Sequence, residues 1–404
     1  MQSVEQKFLK LGAEYAPGQE ARQVTEELEV SSKVYSGIPV DFSHGDVDAF
    51  EPIPGSLEIF NEGVHVGGSQ AYTEYRGSKE IREELATKLS NFTGAEINAD
   101  NNLIITPGTQ GALFLAMGST VSKGDKVAIV EPDYFANRKL VEFFEGEIIP
   151  IQLEFFESDE KAGLNLFQLE EAFKAGVKLF LFSNPNNPTG VVYSEEEILR
   201  IANLAQEYDA TLIVDELYSR QIFDNRTYTH LSAQKIVSPE NVITVIGPSK
   251  TESLSGYRLG VAFGSAKIID RMEKLQAIVS LRAGGYSQAV LKSWFSEPEG
   301  WMRDRISQHQ LIRDDLIAKL QAADGFKVRA TEAGSYLFPE IPELKISIQE
   351  FVKALRVQAG VTVTPGTEFG PQYVNNFRIN FSQDHQAAVA AMDRIIQVVE
   401  EYRK

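Results

Sequence analysis

Six short, largely apolar runs alternate with segments of helical spacing through the middle of this 404-residue chain, and that alternation narrows its fold more than any other feature. The runs are LIITP (103–107), KVAIVEP (126–132), EIIPIQL (147–153), KLFLFSNP (178–185), ATLIVDE (210–216) and NVITVIG (241–247). Among them lie GTQGALFLAMGSTV, ANRKLVEFFEG, LFQLEEAFKAG and SEEEILRIANLAQEYD, which carry apolar residues at the three- and four-residue steps of a helix. Strands that are apolar throughout, rather than alternating, are buried on both faces, and joined through helices they run parallel. The expectation is an α/β fold with a mostly parallel sheet flanked by helices. After about residue 265 helices dominate (AKIIDRMEKLQAIV, YSQAVLKSWF, ISQHQLIRDDLIAKLQAA). The segments FKVRA, GSYLFPEI, VTVTPGTEF and FRINFS, closed by a C-terminal helix, then read as a smaller α+β unit. At about 150 residues per domain the length admits two or three domains. We expect an N-terminal arm with part of the small domain over 1–45, a large α/β domain over 46–285 and a small α+β domain over 286–404.

Charge and cysteine content exclude several functions. Thirty-nine basic against 57 acidic residues leave a net charge of −18, which repels polyanions, so no nucleic-acid partner is expected. With no cysteine there are no disulfides, thiolate nucleophiles or cysteine-bound zinc, and no metal is expected. The absence of cysteine also fits a reducing compartment. The opening residues contain no long apolar run, and no apolar stretch reaches about 18 residues. We expect neither a secretory signal nor a membrane span, and a cytoplasmic location.

In open parallel sheets ligands bind at the carboxyl ends of the strands. Gly108, Thr109 and Gln110 follow the first run, Tyr134 the second and Asn187 in NNPTG the fourth. Asp215 and Tyr218 in DELY follow the fifth, and Ser249 and Lys250 the sixth. Singly, each has an ordinary explanation: a capped helix start, a packed tyrosine, a turn, a surface lysine. Asp215 is the exception, because an acid ending TLIV is costly to bury without a cationic partner. Together they meet one need. Pyridoxal phosphate requires a lysine for its Schiff base, an acid at its ring nitrogen, donors to its phenolic oxygen, a ring to stack on and an anion site. Other catalytic signatures, such as G-x-G-x-x-G, a P-loop, H-E-x-x-H or G-x-S-x-G, are absent from the sequence.

From about residue 37 to the end, the sequence resembles the fold-type I pyridoxal phosphate enzymes, specifically the class I/II aminotransferases. The most specific element is SKTESLSGYRLG (249–260), similar to the family's lysine signature. The resemblance implies Lys250 as the Schiff-base residue and Arg258 as the clamp on the cofactor phosphate. It assigns Asn187 and Tyr218 to the phenolic oxygen, Asp215 to the pyridine nitrogen, Tyr134 to stacking, and Gly108, Thr109 and Gln110 to the phosphate. Tyr72 in YTEYRGSKEIREEL resembles a tyrosine that reaches the neighbouring subunit's phosphate, which implies a homodimer with shared sites. Arg378 in NNFRINFS resembles the arginine that grips the substrate α-carboxylate, with Gly45 and Asn187 beside it. The match departs at Gly247, where the family often has a phosphate-binding serine, and at Pro248; Ser249 is an alternative phosphate donor.

The implied activity is an aminotransferase that moves an amino group between an amino acid and a 2-oxo acid. A decarboxylase, lyase or oxidase on the same cofactor is the alternative. A ligand-sensing regulator built on this fold is a third reading, against which the acidic charge and the mixed charge of the first 40 residues count. Arg282 in SLRAGGYSQ is a candidate for a distal substrate carboxylate or an interface residue, although its spacing to Gln288 does not match the dicarboxylate enzymes. Tyr35, Tyr75 and Phe381 are candidates for the side-chain pocket or the core.

Overall fold

The computed structural model describes residues 4–12, 33–45, 48–156 and 163–404. Among them a two-residue strand, β1 (Val40–Asp41), precedes eight strands of one sheet. These are β2 (Leu103–Pro107), β3 (Lys126–Glu131), β4 (Glu147–Glu154), β5 (Gly163–Leu164), β6 (Leu179–Ser183), β7 (Thr211–Asp215), β8 (Val242–Ile246) and β9 (Leu259–Gly264). Their spatial order is β2-β9-β8-β7-β6-β3-β4-β5. From β8 through β7, β6 and β3 to β4 every pairing is parallel. The mostly parallel sheet is therefore present, and all six apolar runs are strands in it.

Two strands depart from that reading. β5 pairs antiparallel with β4. β9 lies antiparallel between β2 and β8. Between β8 and β9 there is only a short 3-10 turn, Ser255–Tyr257, and a return without a long crossover gives an antiparallel pair. Because β9 opposes both neighbours, β2 points the same way as β8.

Side chains alternate across the sheet, so each strand feeds two cores. Ile129, Ile213 and Val245 pack with Leu113, Met117, Ile269 and Met272 of the helices Gly108–Thr120 and Ala266–Val279. Their sequence neighbours Val130 and Val214 face Leu169, Phe173, Ile201 and Leu204 of Leu166–Lys174 and Glu195–Tyr208. The helix Glu195–Tyr208 opens on a capping box at Ser194. The Ser194 hydroxyl accepts the Glu197 N–H at 3.2 Å, and Glu197 Oε2 accepts the Ser194 N–H at 2.7 Å. Such a cap stabilises a helix by about 1 kcal/mol.

Four short strands follow: β10 (Tyr336–Leu337), β11 (Val361–Thr362), β12 (Thr364–Pro365) and β13 (Phe377–Asn380). β10, β13 and β12 form an antiparallel sheet, and β11 pairs with β1. Phe42 from the N-terminal side shares one core with Ile312, Leu316, Phe351, Phe377 and Ile395. A short helix, Val4–Lys10, stands where the arm was expected. The rest of the expected arm, from 13 to 32, lies outside the described residues.

Candidate active site

Five strand ends open on one cavity of about 210 Å³. β2 is followed by Thr109 and Gln110, β3 by Tyr134, β6 by Asn187, β7 by Asp215 and Tyr218, and β8 by Ser249 and Lys250. Arg258 enters just before β9, and Arg378 reaches in from β13. Parallel strands present their carboxyl ends along a single edge, and β2 shares the direction of β8, so the chain's own topology gathers these side chains. A second cavity of about 470 Å³ adjoins the first, shares Tyr218, Ser249 and Lys250 with it, and extends to Gly45.

Asp215 ends β7 with its carboxyl buried, and its Oδ1 accepts the Leu217 N–H at 3.0 Å. Burial, opposed by that hydrogen bond and reinforced by the Glu216 charge, lifts its pKa to about 6. No cation figures among these influences, so the partner expected for a buried acid is not supplied by the described residues. Tyr218, three residues on, donates its hydroxyl hydrogen to the Tyr336 oxygen at 2.7 Å. Burial holds Tyr218 well above its ordinary pKa. Burial also pushes Tyr336 upward, but the charges of Arg378 and Lys250 and the bond from Tyr218 outweigh it and leave Tyr336 below its ordinary value.

The helix Gly108–Thr120 starts with no side-chain cap, so its first N–H groups remain available to an anion. Gly108 has φ +76°, and a β-carbon there would lie 2.7 Å from Arg258 Nη2. Arg258 itself holds φ +55°, and its Nη1 donates to the Ser255 carbonyl at 2.9 Å. A β-carbon on Gly260 would overlap the backbone of Gly108 and Thr109, so the last glycine of the lysine signature lets the turn lie flat on β9. At Gly247, a β-carbon would sit 2.8 Å from the Thr109 methyl. The space a serine would need at Gly247 is already taken by Thr109. Ser249, the alternative donor, directs its hydroxyl at the Leu259 carbonyl, 3.4 Å away.

Arg378 is buried across the cavity. Its Nη1 donates to Asn187 Oδ1 at 3.2 Å and its Nη2 to the Ser43 carbonyl at 2.8 Å, while the buried Nε has no partner. Its guanidinium lies 4.3 Å from the Tyr336 ring centre and 5.0 Å from that of Phe369. Two aromatic faces and two hydrogen bonds fix its plane. The Tyr134 hydroxyl donates to Gln110 Oε1 at 3.2 Å, tying the ring after β3 to the helix after β2.

Sequence reasoning missed Ser43, Asp133, Ser183 and Tyr336. Asp133 lies beside the flagged Tyr134, and Ser183 ends the apolar run before NPNN, so position alone marked both. Nothing local distinguishes Tyr336.

Other candidates fall outside the cavity. Tyr72 is 80% exposed, and the Arg282 guanidinium lies 5.2 Å from the ring centres of both Tyr72 and Tyr75. Gln288 is buried and structural. Its Nε2 donates to Thr73 Oγ1 at 3.1 Å, and its Oε1 accepts the Ser78 N–H at 2.8 Å. Tyr35 donates to Glu401 on the C-terminal helix at 2.9 Å, and Phe381 is a core residue near Phe223. Neither lines the cavity.

The family model for aminotransferase class I and II matches residues 46–395. The chain belongs to this family. An aspartate aminotransferase from Rhodobacter sphaeroides 2.4.1 is 61% identical, covers 100% of both chains and superposes with a TM-score of 0.94. An aspartate aminotransferase of Pyrococcus horikoshii is 27% identical over 94% of each chain. An aromatic aminotransferase from Pyrococcus horikoshii, 23% identical, shares the fold with a TM-score of 0.82 over 91% of this chain and 97% of its own.

As a class I/II aminotransferase the chain is a pyridoxal 5′-phosphate-dependent transferase of amino groups between amino acids and 2-oxo acids. The residues present fit that cofactor. A buried acid without a cation suits a protonated ring nitrogen, and an uncapped helix start beside an arginine suits a phosphate. The unpaired Arg378 Nε suits a carboxylate. Among the described residues no helix is long and apolar enough to cross a membrane.

Proposed function

We propose that this aminotransferase takes aspartate as amino donor and works through Lys250, whose amine holds the cofactor aldehyde. The observation that supports the site assignment is that Lys250, Asp215, Asn187, Arg258 and Arg378 line one cavity. The aspartate reading is supported by the aspartate aminotransferase that is 61% identical along the whole chain.

When bound, the cofactor supplies an electron-withdrawing ring that eases ionisation of the substrate Cα–H bond. The chain's residues do the rest. Asp215 would hold a proton on the ring nitrogen; facing that cation, its carboxylate would be favoured over the acid and its pKa would fall. The Asn187 amide would donate to the phenolic oxygen, as would the Tyr218 hydroxyl on turning its hydrogen from Tyr336. Gly108, Thr109, Gln110 and Ser249 would hold the phosphate, and Arg258 would neutralise it. Tyr134 would cover a ring face. Arg378 receives the α-carboxylate in a charge-assisted pair, beside the backbone of Gly45. Lys250 Nζ, when free of the cofactor aldehyde, would take the proton from the substrate Cα and hold it for return to the aldehyde carbon, two atoms from Cα.

The same proposal makes the enzyme a homodimer in the cytoplasm, with Tyr72 serving the neighbouring site. An 80% exposed tyrosine outside its own chain's cavity supports this, as do the exposed Ile278, Val279 and Leu281 preceding Arg282. The division at 45/46 and 285/286 belongs to the same proposal, supported by the core that Phe42 shares with the C-terminal helices.

Incubation with aspartate and 2-oxoglutarate is expected to give oxaloacetate and glutamate in equal amounts. Ammonia, carbon dioxide or peroxide without a new amino acid would favour the decarboxylase, lyase or oxidase reading instead. Turnover of other donors but not aspartate would overturn the substrate alone.

A further inference from the structure

We infer that Asp133 is a positioning residue, which through the hydroxyl of Ser183 pins the backbone N–H of Asn187 and so sets where its cavity-lining side chain stands. The inference rests on the reading of Asn187 as a cofactor contact given above, and its test separates the two.

Asp133 is completely buried between the ends of β3 and β6. Its Oδ1 accepts the Tyr134 N–H at 2.7 Å and the Ser183 hydroxyl hydrogen. Its Oδ2 accepts the Ser183 N–H at 3.1 Å and an Asn137 amide hydrogen at 3.4 Å. The Ser183 oxygen, having given its hydrogen to Asp133, accepts the backbone N–H of Asn187 at 3.1 Å. Asn187 Oδ1 in turn accepts from Arg378. One carboxylate therefore orders a chain of hydrogen bonds, Asn187 to Ser183 to Asp133, and fixes the stacking Tyr134 from the same oxygen.

The donor pattern requires an acceptor at both carboxylate oxygens. A serine hydroxyl rotates freely unless something takes its hydrogen. Here Asp133 takes it, so the Ser183 lone pair faces Asn187. An ionised acid without a cation is an expensive way to build a turn. Burial, against the donors around it, lifts its pKa to about 7. The fixed polarity of Ser183 gives that cost a function: it holds the backbone of Tyr134 and the turn that carries Asn187 in one frame.

The test uses the Asp133→Asn holoenzyme. An amide keeps the shape but must put a donor against either the Ser183 or the Tyr134 N–H. The pH titration of the visible absorbance of the lysine-bound cofactor should move upward by about 0.5–1 pH unit, as one donor to its phenolic oxygen weakens. KM for aspartate should rise through Arg378. Ser183→Ala removes a single oxygen and serves if Asp133→Asn fails to fold. It should reproduce the shift, and adding Asp133→Asn to it should add little, because the two act in series. An unchanged titration midpoint in Asp133→Asn, or in Ser183→Ala where that variant stands in, would overturn the inference, as would fully additive shifts. Lys250→Ala, run alongside, reports on the site reading. If it keeps colour and turnover, that reading fails; if it loses both while Asp133→Asn titrates as wild type, only the positioning role fails.

Discussion

Arg258 Nη2 occupies the space that a β-carbon on Gly108 would need, at 2.7 Å. The anion-binding helix start and the arginine thus share one volume, and a side chain at 108 would push the guanidinium away from the helix start.

Gly108→Ala is therefore expected to weaken cofactor binding by about 5–150-fold. The left-handed φ of +76° adds strain to the clash, and such strain costs roughly 1–3 kcal/mol. Equilibrium dialysis of the cofactor against wild type and variant measures it. Equal dissociation constants would remove the steric argument.

Lys250→Ala should abolish turnover and the visible absorbance of the bound cofactor. Borohydride reduction followed by peptide mapping should find the adduct on Lys250 in wild type. An adduct on another lysine would move the site.

Arg378→Ala should raise KM for the amino donor by about 10–150-fold, the loss of roughly 1.5–3 kcal/mol for a charged hydrogen-bond pair. Cofactor affinity should change far less. A normal KM would send the α-carboxylate elsewhere.

Gly247→Ser should impair cofactor binding rather than improve it, although it restores the hydroxyl common in relatives. Its β-carbon would meet the Thr109 methyl at 2.8 Å. Thr109→Ser, which drops that methyl and keeps the hydroxyl, should relieve the defect in the double variant. Calorimetric titration with the cofactor follows both; no rescue would mean that the two positions are not sterically coupled.

In the cofactor-free enzyme, Asp215 titrates near 6 rather than the ordinary 3.8, so the folded state holds its proton over a range where the unfolded state has lost it. The unfolded chain then binds fewer protons, and stability falls as pH rises from about 4 to about 6. Asp215→Asn should remove this part of the loss, on the order of 3 kcal/mol. Asp133, near 7, acts in the same sense and remains in the variant. Thermal denaturation across that range, cofactor-free, is the measurement, and equal slopes for wild type and variant would count against a raised Asp215.

Much of this arrangement was legible because buried parallel strands announce themselves by unbroken apolarity. The runs ending at Asp215 and Ile246 needed no neighbours to be recognised. β9 was not read, because LGVAF abuts the lysine signature and passes for its continuation. The helix Ile348–Ala359 was overlooked even though Ser347 and Glu350 form a capping box, a signal present in the letters SIQE. The helix Ser56–Val66 opens after Gly55 with no side-chain cap and offered no comparable mark. Tyr336 reaches the cavity through a two-residue strand, and its position depends on pairing with Asn380 and Leu337 with Ile379. Such long-range register leaves no local trace.

The antiparallel return into β9 has a consequence for how this enzyme can vary. Lys250 and Arg258 stand on one short span pinned at both ends by the sheet, at β8 and at Leu259. Inserting or deleting even a residue there would slide the amine against the phosphate clamp. Natural length variation should therefore be tolerated almost anywhere on the surface before it is tolerated between these two side chains.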